Sequence, residues 1–215
     1  STFGKWNSKS KYEFVKPELF ATKKLDKEYL TPDKENAAAV GKISFSMDKK
    51  SPDYPALTIA NEMLGSGGFL TARIPTRLRE KEGISYGAGS YMNVPIDNNV
   101  ASWAWYAFFN PTKKDAVNKA LKEEVNKAVK DGFTEEEFKS NLTSWLNSRK
   151  TGLGNDNTLM GLVNTQLQYG VPLEDYDALE AKVAALKVSQ VNDVLRKYIT
   201  EDKLTSVFAG DFNKK

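Results

Sequence analysis

Histidine and cysteine are both absent from the 215 residues of this chain. Without cysteine the chain forms no disulfide bond and offers neither a thiolate metal ligand nor a cysteine nucleophile. Histidine is the usual general base at neutral pH and the commonest metal ligand, so its absence excludes a catalytic triad, a histidine zinc site and a histidine pH switch. Segments 96–99 and 154–157 lack the acidic spacing of a calcium loop and are predicted to be turns. We therefore expect no metal in this chain.

Long hydrophobic runs and an excess of one charge are also missing. No apolar run approaches the ~20 residues that a membrane-spanning helix needs. The 31 basic and 28 acidic side chains leave a net charge of +3, which does not imply a nucleic-acid partner. With 40% hydrophobic residues, the sequence is typical of a globular domain that does not span a membrane. It begins with serine and no leader-like segment follows, and we expect a piece of a longer chain.

Two regions differ in composition and pattern. Residues 1–36 are rich in lysine and show little periodicity, which predicts a linker or an N-terminal arm. Residues 37–215 are predicted to form a single α+β domain, with a mostly antiparallel sheet and helices packed on one face. The expected strands are 37–47, 85–94, 100–109 and 204–210, and the second and third of them form a hairpin.

Helix signals are clear at several positions. A helix over 51–65 is predicted to begin with Ser51 as its N-cap, and a second helix over 71–82 is predicted to end at Gly83. Thr134 and Glu137 form the pattern of a capping box at the start of a later helix. The remaining helices are expected within 112–131, 156–169, 173–186 and 189–199.

The strand 100–109 is apolar on both faces. Trp103 and Trp105 project to one face, whereas Tyr106 and Phe108 project to the other. Two interpretations remain open. The strand is central and covered on both sides, or one of its aromatic faces lines a cavity.

Arg79 and Tyr86 are the first candidate binding residues. In the helix over 71–82, Ile74 and Leu78 form the buried stripe and Arg79 projects to the opposite side. An arginine presents a planar fork of donors, and a tyrosine hydroxyl seven residues later is placed to converge with it on one carbonyl or carboxylate. The alternative is that Arg79 is a solvated charge and Tyr86 an ordinary surface residue of the strand.

A glycine-rich loop provides the second candidate site, formed by Gly65, Ser66, Gly67, Gly68 and Phe69. Small residues before a helix are suited to binding phosphate, but the lysine and the spacing of a P-loop are missing. The loop is therefore either a substrate loop or a plain flexible connection between two helices.

Several longer stretches resemble one protein family. "DYPALTIANEMLGSGGFLTARIPTRLREKEGISYG" (53–87) is similar to the non-catalytic half of the inverzincin peptidases, the family of pitrilysin, insulin-degrading enzyme and the mitochondrial processing peptidase. "GFTEEEFKSNLTSWLNSRK" (132–150) resembles the family's helix after the sheet, and "TSVFAGDF" (205–212) resembles its last strand. "FGKW" (3–6) is similar to the linker after the preceding domain. The resemblance covers nearly the whole chain.

The resemblance implies a function for the whole assembly. In this family two halves enclose a chamber; one carries an H-x-x-E-H zinc motif and the other an arginine and a tyrosine that contact the substrate. That pair matches Arg79 and Tyr86, and the zinc motif is absent here. We therefore expect the C-terminal, substrate-binding domain of a zinc metalloendopeptidase, with no catalysis by this chain alone. The glycine-rich loop is expected to help admit or hold unfolded substrate.

The same resemblance implies partners and a location. The zinc cofactor is expected in a catalytic half, which belongs to the same parent chain or to a partner subunit. The substrate is expected to be an unfolded or short peptide. The likeness to long bacterial members of the family implies the periplasm.

Two other functions remain open at this stage. Some family members are catalytically inert scaffolds of respiratory complexes, and an unrelated peptide-binding module is the third alternative. Retention of both Arg79 and Tyr86 favours the peptidase over the scaffold. An H-x-x-E-H motif upstream in the parent gene, or in a neighbouring gene, would distinguish between them.

Overall fold

The computed structural model describes residues 7, 9–10, 13, 15–67 and 71–213. Within them one five-stranded sheet has the order β1-β5-β2-β4-β3. All neighbouring strands are antiparallel except β1 and β5, which are parallel. The strands are β1 (Leu25–Leu30), β2 (Ala37–Ser46), β3 (Gly87–Asn93), β4 (Val100–Phe109) and β5 (Thr205–Gly210).

Helices pack on one face of this sheet and cover the core. The predicted α+β class, with a mostly antiparallel sheet, is confirmed. No helix in the described part of the chain is both long and apolar enough to cross a bilayer. The helices are α1 (Tyr54–Asn61), α2 (Arg73–Pro75), α3 (Lys114–Asp131), α4 (Glu135–Gly152), α5 (Asp156–Tyr169), α6 (Glu174–Ala184) and α7 (Val188–Tyr198).

The alternation of the strands decides which side chains form the core. On the helix-covered face of β4, Trp103 and Trp105 are buried, with exposed fractions of 0% and 1%. On the opposite face Phe108 is 51% exposed and Tyr106 is partly exposed. β4 is central in the sheet, between β2 and β3, and Ala104 and Ser102 on its second face are also buried. That face is open at Tyr106 and Phe108, as the interpretation of a cavity-lining face predicts.

Two local features predicted from the sequence agree closely with the structure. The capping box is confirmed, since the Glu137 N–H donates to the Thr134 hydroxyl and the Thr134 N–H donates to the Glu137 carboxylate, at 3.2 and 2.8 Å. The predicted hairpin is confirmed by the antiparallel register of β3 on β4, which pairs Gly87 with Phe108 and Asn93 with Ser102.

The start of α1 differs from the prediction. The N-cap is Asp53 and not Ser51, because residues 51–54 close a turn in which the Tyr54 N–H donates to the Ser51 carbonyl at 3.1 Å. The first helical hydrogen bond runs from the Leu57 N–H to the Asp53 carbonyl at 2.9 Å. The proline of the first turn is therefore Pro55. Its missing N–H costs nothing there, because the N–H groups of a first turn make no hydrogen bond within the helix.

Strand β1 lies inside the segment predicted to be a linker or arm. Its residues Leu25–Leu30 pair in parallel with Thr205–Gly210 of β5, and the strand is exposed along its whole length. Two ion pairs connect it to α3, from Lys114 to Glu28 at 2.7 Å and from Lys122 to Asp26 at 2.8 Å. The arm therefore adds an edge strand to the sheet of the domain.

Two short π-helical turns lie at the glycine-rich loop, and the first of them contains Gly65 and Ser66, which were predicted to be loop residues. Glu62–Ser66 continues α1, and Thr76–Lys81 continues α2. The predicted helices over 51–65 and 71–82 are thus helical, but each changes from α to π hydrogen bonding near the loop. The second ends at Gly83, whose positive φ of 60° suits glycine. Single π turns are rare in proteins and often occur at functional sites.

Candidate functional site

Asn61 holds the first π turn against the sheet. Its side-chain oxygen accepts hydrogen bonds from the Ser90 hydroxyl at 2.8 Å and from the Trp103 indole N–H at 3.0 Å. All three side chains are buried. The end of α1 is thus fixed to both β3 and β4, at the point where the glycine-rich loop begins.

The loop passes very close to the edge strand β3. A Cβ atom placed on Gly65 would lie 2.4 Å from the Ser90 backbone nitrogen, and one placed on Gly89 would lie 2.7 Å from the Gly65 carbonyl oxygen. Such separations are far below van der Waals contact, so both positions need glycine. The sequence predicted a loop of Gly65 to Phe69, of which Gly68 and Phe69 lie outside the described residues.

The far end of the loop is anchored on α4. The buried Asn141 donates from its amide nitrogen to the Thr71 carbonyl at 3.1 Å and to the Glu137 carbonyl at 2.9 Å. With Asn61 at one end and Asn141 at the other, both attachment points of the loop are held by buried amides. Buried amides with all partners in place make the surrounding structure rigid.

Replacing Gly65 by alanine is expected to destabilise the domain by about 1–3 kcal/mol, because the added methyl group meets rigid backbone of β3. Urea unfolding measures the change. Gly161→Ala is the matched control, since nothing lies within 4 Å of a Cβ at that helical position and alanine there stabilises a helix by up to about 1 kcal/mol. Equal or greater stability of Gly65→Ala relative to the wild-type chain would contradict the close approach.

The segment after the second π turn folds back onto it. The backbone N–H groups of Ile84 and Ser85 both donate to the Leu78 carbonyl, at 2.9 and 3.2 Å. Arg79 follows Leu78 in the chain and Tyr86 follows Ser85. These hydrogen bonds therefore place the two predicted binding residues in neighbouring positions on the backbone.

Both predicted binding residues reach solvent. The Arg79 side chain is 46% exposed, with its Nε atom 3.9 Å from the Glu80 carboxylate. Tyr86 is 60% exposed, and its backbone N–H donates to the Phe108 carbonyl at 2.8 Å, which fixes the start of β3. As predicted, Ile74 and Leu78 form the buried side of this helix, at 0% exposure. The two exposed donors are thus presented from a fixed backbone at one end of an edge strand.

A cleft of about 360 Å³ opens beside the same strand, between the loop and β3. Ala88 and Ser90 lie on the helix-covered side of β3, whereas Tyr91 and Tyr106 lie on the open side of the sheet. The cleft therefore crosses the sheet edge at the middle of β3. It is lined by Gly65, Ser66, Gly67, Pro75, Ala88, Ser90, Tyr91 and Tyr106.

A second, larger groove of about 590 Å³ lies between the second π turn, α3 and the start of α4. Its arginines are engaged with carboxylates of the same groove. Arg77 contacts Glu82, Glu123 and Glu124 at 2.7, 2.5 and 3.1 Å. Burial opposes the charged guanidinium, but these three hydrogen bonds prevail and raise the pKa of Arg77. Arg77 is thus held by carboxylates of its own fold.

Arg73 forms the other ion pair of this groove. Its Nε and Nη2 atoms donate to the two Glu137 oxygens at 2.8 and 2.9 Å, and Nη2 also donates to the Gly132 carbonyl. Burial raises the pKa of the Glu137 carboxyl, but the hydrogen bonds from Arg73 and Thr134 outweigh this effect, and the net pKa is lowered.

Near the glycine-rich loop, burial has the larger effect on a carboxyl group. It raises the pKa of Glu62, and the hydrogen bond between Glu62 and Ser66 only partly offsets this rise.

Asn61, Ser90 and Tyr91 were not predicted from the sequence to be residues of a site. Nothing in their local pattern marks them, because their roles depend on the pairing of β3 with β4 and on the position of the loop over β3. The one available signal was the apolar second face of β4, for which the sequence left a cavity-lining role open. Tyr106 has that role in the structure.

The donor set of this chain does not fit the zinc of the peptidases that it resembles. The sequence has no histidine or cysteine, and no group of three or more acidic side chains in the described residues is placed to hold a metal ion. A hydrolytic zinc site needs three protein ligands and an open position. We therefore derive no catalytic step through zinc from the residues of this chain.

The class of this domain is shown by comparison with known sequence families. Residues 1–144 match the sequence model of the peptidase M16 inactive domain. The chain belongs to this family, and the resemblance to the inverzincin peptidases is confirmed. No curated protein matches the sequence significantly.

Solved structures share the fold over nearly the whole chain. The peptidase M16 inactive domain from Pseudomonas fluorescens has a TM-score of 0.75 and 21% identity, with 94% of this chain and 46% of that chain covered. A protease from Helicobacter pylori has a TM-score of 0.80, 17% identity and coverages of 97% and 50%. The periplasmic protease PqqL from Escherichia coli has a TM-score of 0.70, 17% identity and coverages of 94% and 22%. This chain thus spans half or less of the length of these three proteins.

Proposed function

We propose that this chain is the non-catalytic, substrate-binding domain of a zinc metalloendopeptidase. The observation that carries the proposal is the placement of Arg79 and Tyr86. Both are exposed, Tyr86 directly precedes the edge strand β3, and Arg79 lies in the π turn to which the backbone just before Tyr86 is hydrogen-bonded. Membership in the M16 inactive-domain family supports a partner that supplies the catalytic zinc.

The proposed role of the pair is to bind the substrate backbone. A guanidinium and a phenol both donate hydrogen bonds, and together they suit one carbonyl oxygen beside the bond to be cleaved. The zinc and the general base come from the other half of the enzyme, whether in the same parent chain or in a partner subunit. When bound in that half, zinc would supply a Lewis acid for the carbonyl and a site that activates water.

The proposed substrate is an unfolded or short peptide. A chamber between two halves admits an extended chain and excludes a compact protein that cannot fit between them. The loop Gly65–Phe69 is proposed to help admit or hold this peptide, and Gly65 lies against Gly89 and Ser90 of the edge strand β3. For Gly68 and Phe69, the proposed contact with the peptide rests on the family resemblance alone.

The assembly and location of the protein are proposals as well. We propose that residues 37–215 form the domain and that residues 1–36 are a linker or arm, whose strand β1 extends the sheet of the domain. The coverage of half or less of the related chains supports a larger parent protein or a partner subunit. The periplasmic location of PqqL supports a periplasmic location here.

An inert scaffold of the same family is the second candidate function. A scaffold has no need for exposed hydrogen-bond donors at the start of β3, and this chain retains both Arg79 and Tyr86 there. We therefore favour the peptidase.

The purified chain alone is expected to bind no stoichiometric zinc and to cleave no peptide, because it lacks the nitrogen and sulfur donors of a hydrolytic site. Addition of the zinc-bearing half should produce peptide hydrolysis that a chelator abolishes. Metal analysis after a chelator wash and a fluorogenic peptide assay measure both results. Zinc bound at one equivalent by this chain, or chelator-sensitive hydrolysis by it alone, would refute the assignment. A zinc-bearing half whose activity does not depend on this chain would favour the scaffold.

A further inference from the structure

The cleft beside β3 has an uncharged lining. Among the described residues, none of the eight that line it is acidic or basic, although 27% of the chain is charged. The Ser90 hydroxyl is occupied by its bond to Asn61 at 2.8 Å. Moving a charged side chain into such a place removes its water without offering an opposite charge, which costs free energy. The lining thus favours an uncharged side chain as the group that enters the cleft.

Aromatic rings form the open wall of this cleft. The Tyr91 and Tyr106 rings are 6.4 Å apart between centroids, and Tyr106 and Phe108 are 5.9 Å apart. Tyr91, 47% exposed, lines the cleft with Tyr106, whereas Phe108, 51% exposed, continues the aromatic surface beyond the cleft on the open side of the sheet. Rings at these spacings interact favourably with a further aromatic ring placed against them.

The opposite wall is formed by rigid backbone. Gly65 lies against Ser90 so closely that no side chain fits between them, and Asn61 holds the turn before it. A volume of about 360 Å³ is within the range of natural ligand pockets and exceeds the size of one aromatic side chain. The cleft is therefore preformed and of the size of a single side chain or slightly larger.

We propose that this cleft is a side-chain subsite that accepts an aromatic or large aliphatic residue of the bound peptide. The proposal rests on the proposed substrate-binding function and adds specificity to it. Tyr86 precedes Ala88 by two residues and Tyr91 by five, which corresponds to ~7–17 Å along a strand at ~3.3 Å per residue. The selected side chain therefore lies within a few residues of the carbonyl that Arg79 and Tyr86 bind.

The test is a titration of the whole 215-residue chain, labelled with ¹⁵N, with four unfolded Gly/Ser host peptides that differ in one guest residue. The guests are phenylalanine, leucine, aspartate and lysine. We expect the phenylalanine and leucine peptides to bind about tenfold tighter than the charged ones, and to shift the amide signals of Ala88, Ser90 and Tyr91.

Tyr91→Ala is expected to weaken binding of the phenylalanine peptide about three- to tenfold and to leave the aspartate peptide unaffected. Tyr29→Ala is the matched control, because Tyr29 is also exposed, at 49%, and lies on the opposite edge strand β1. That variant should bind all four peptides as the wild-type chain does. Arg79→Ala should weaken all four peptides by the same factor, since the proposed backbone contact does not depend on the guest.

The experiment distinguishes failure of the proposed subsite from failure of the proposed substrate-binding function. Equal binding of all four peptides, or signals that shift only away from β3, would overturn the subsite and leave the proposed function standing if Arg79→Ala still weakens binding. No detectable binding of any peptide at millimolar concentration would overturn both proposals.

Discussion

Arg79→Ala is expected to lower kcat/KM of the assembled peptidase by about ten- to a hundredfold, because a hydrogen bond from a charged donor contributes about 1.5–3 kcal/mol. The loss applies if the bond to the substrate carbonyl persists in the transition state. Tyr86→Phe removes a neutral donor and should cost somewhat less. Neither residue is a metal ligand, so the zinc content of the assembled enzyme should not change. Steady-state kinetics with a fluorogenic peptide measure the effect.

Lys81→Ala is the matched control for this experiment. Lys81 lies in the same π turn as Arg79 and is also exposed, so its removal changes the local charge by the same amount. It should leave kcat/KM within about twofold of the wild-type value, as is usual for an exposed surface charge. Folding should survive both substitutions, because the buried side of this helix consists of Ile74 and Leu78. Equal kinetic effects of Arg79→Ala and Lys81→Ala would reduce the role of Arg79 to general electrostatics.

Glu137→Ala is expected to lower the free energy of unfolding by about 3 kcal/mol at pH 7. Breaking a buried ion pair costs about 3–5 kcal/mol, and the partial exposure of Glu137 reduces this. The capping box also loses the bond from the Thr134 N–H, although Thr134 still caps the helix. The change leaves the Arg73 guanidinium, which is 13% exposed, without its carboxylate. Urea unfolding measures the difference. Glu136→Ala, at an exposed position in the same turn, should cost less than about 1 kcal/mol.

The stabilisation by Glu137 should also depend on pH. Its pKa is lower in the folded chain than the ordinary value of 4.5, so folding favours the ionised carboxylate. The contribution is therefore complete above pH 4.5 and is lost as the pH falls through the folded pKa. The stability difference between the wild-type chain and Glu137→Gln should shrink between pH 5 and pH 3, a window around that ordinary value. A difference that stays constant over this range would show that the carboxylate charge is unimportant.

Local signals predicted most of the fold. The capping box of Thr134 and Glu137 specifies its helix start by side-chain hydrogen bonds within three residues, and the β3–β4 hairpin follows from two apolar runs around one turn. Each of these features depends on residues close in sequence. The helix α5 was predicted with the bounds that the structure shows, because Asn155 caps its start and Gly170 ends it with a positive φ of 66°.

Features that depend on distant residues were missed. Strand β1 pairs with β5, which lies 180 residues later in the chain, and its exposed residues show no alternation that would mark a strand. The π turns beside the loop were also missed, because residue propensities favour α over π bonding and the change here accompanies anchoring by Asn61 and Asn141. The start of α1 was placed at Ser51 because the turn hydrogen bond to Tyr54 leaves no mark in the sequence.

The residues of the candidate site fall into the same two groups, those marked by a local sequence pattern and those brought together by distant pairing. Arg79 and Tyr86 were predicted because their spacing of seven residues across a glycine is itself a local pattern that resembles the peptidase family. Tyr91 and Tyr106 come together through the register of β3 on β4, and no local pattern predicts that register. The residues proposed to bind the peptide backbone are thus visible in the sequence, and those proposed to select its side chain require the structure.

A crystal structure of the assembled enzyme with an uncleaved peptide, obtained with the general base of the catalytic half inactivated, tests the central claim most directly. We expect the Arg79 guanidinium and the Tyr86 hydroxyl to lie about 2.7–3.2 Å from one peptide carbonyl oxygen beside the zinc. A peptide at the zinc that is more than about 6 Å from both side chains, beyond the reach of any direct hydrogen bond, would contradict the assignment of this chain as the substrate-binding domain.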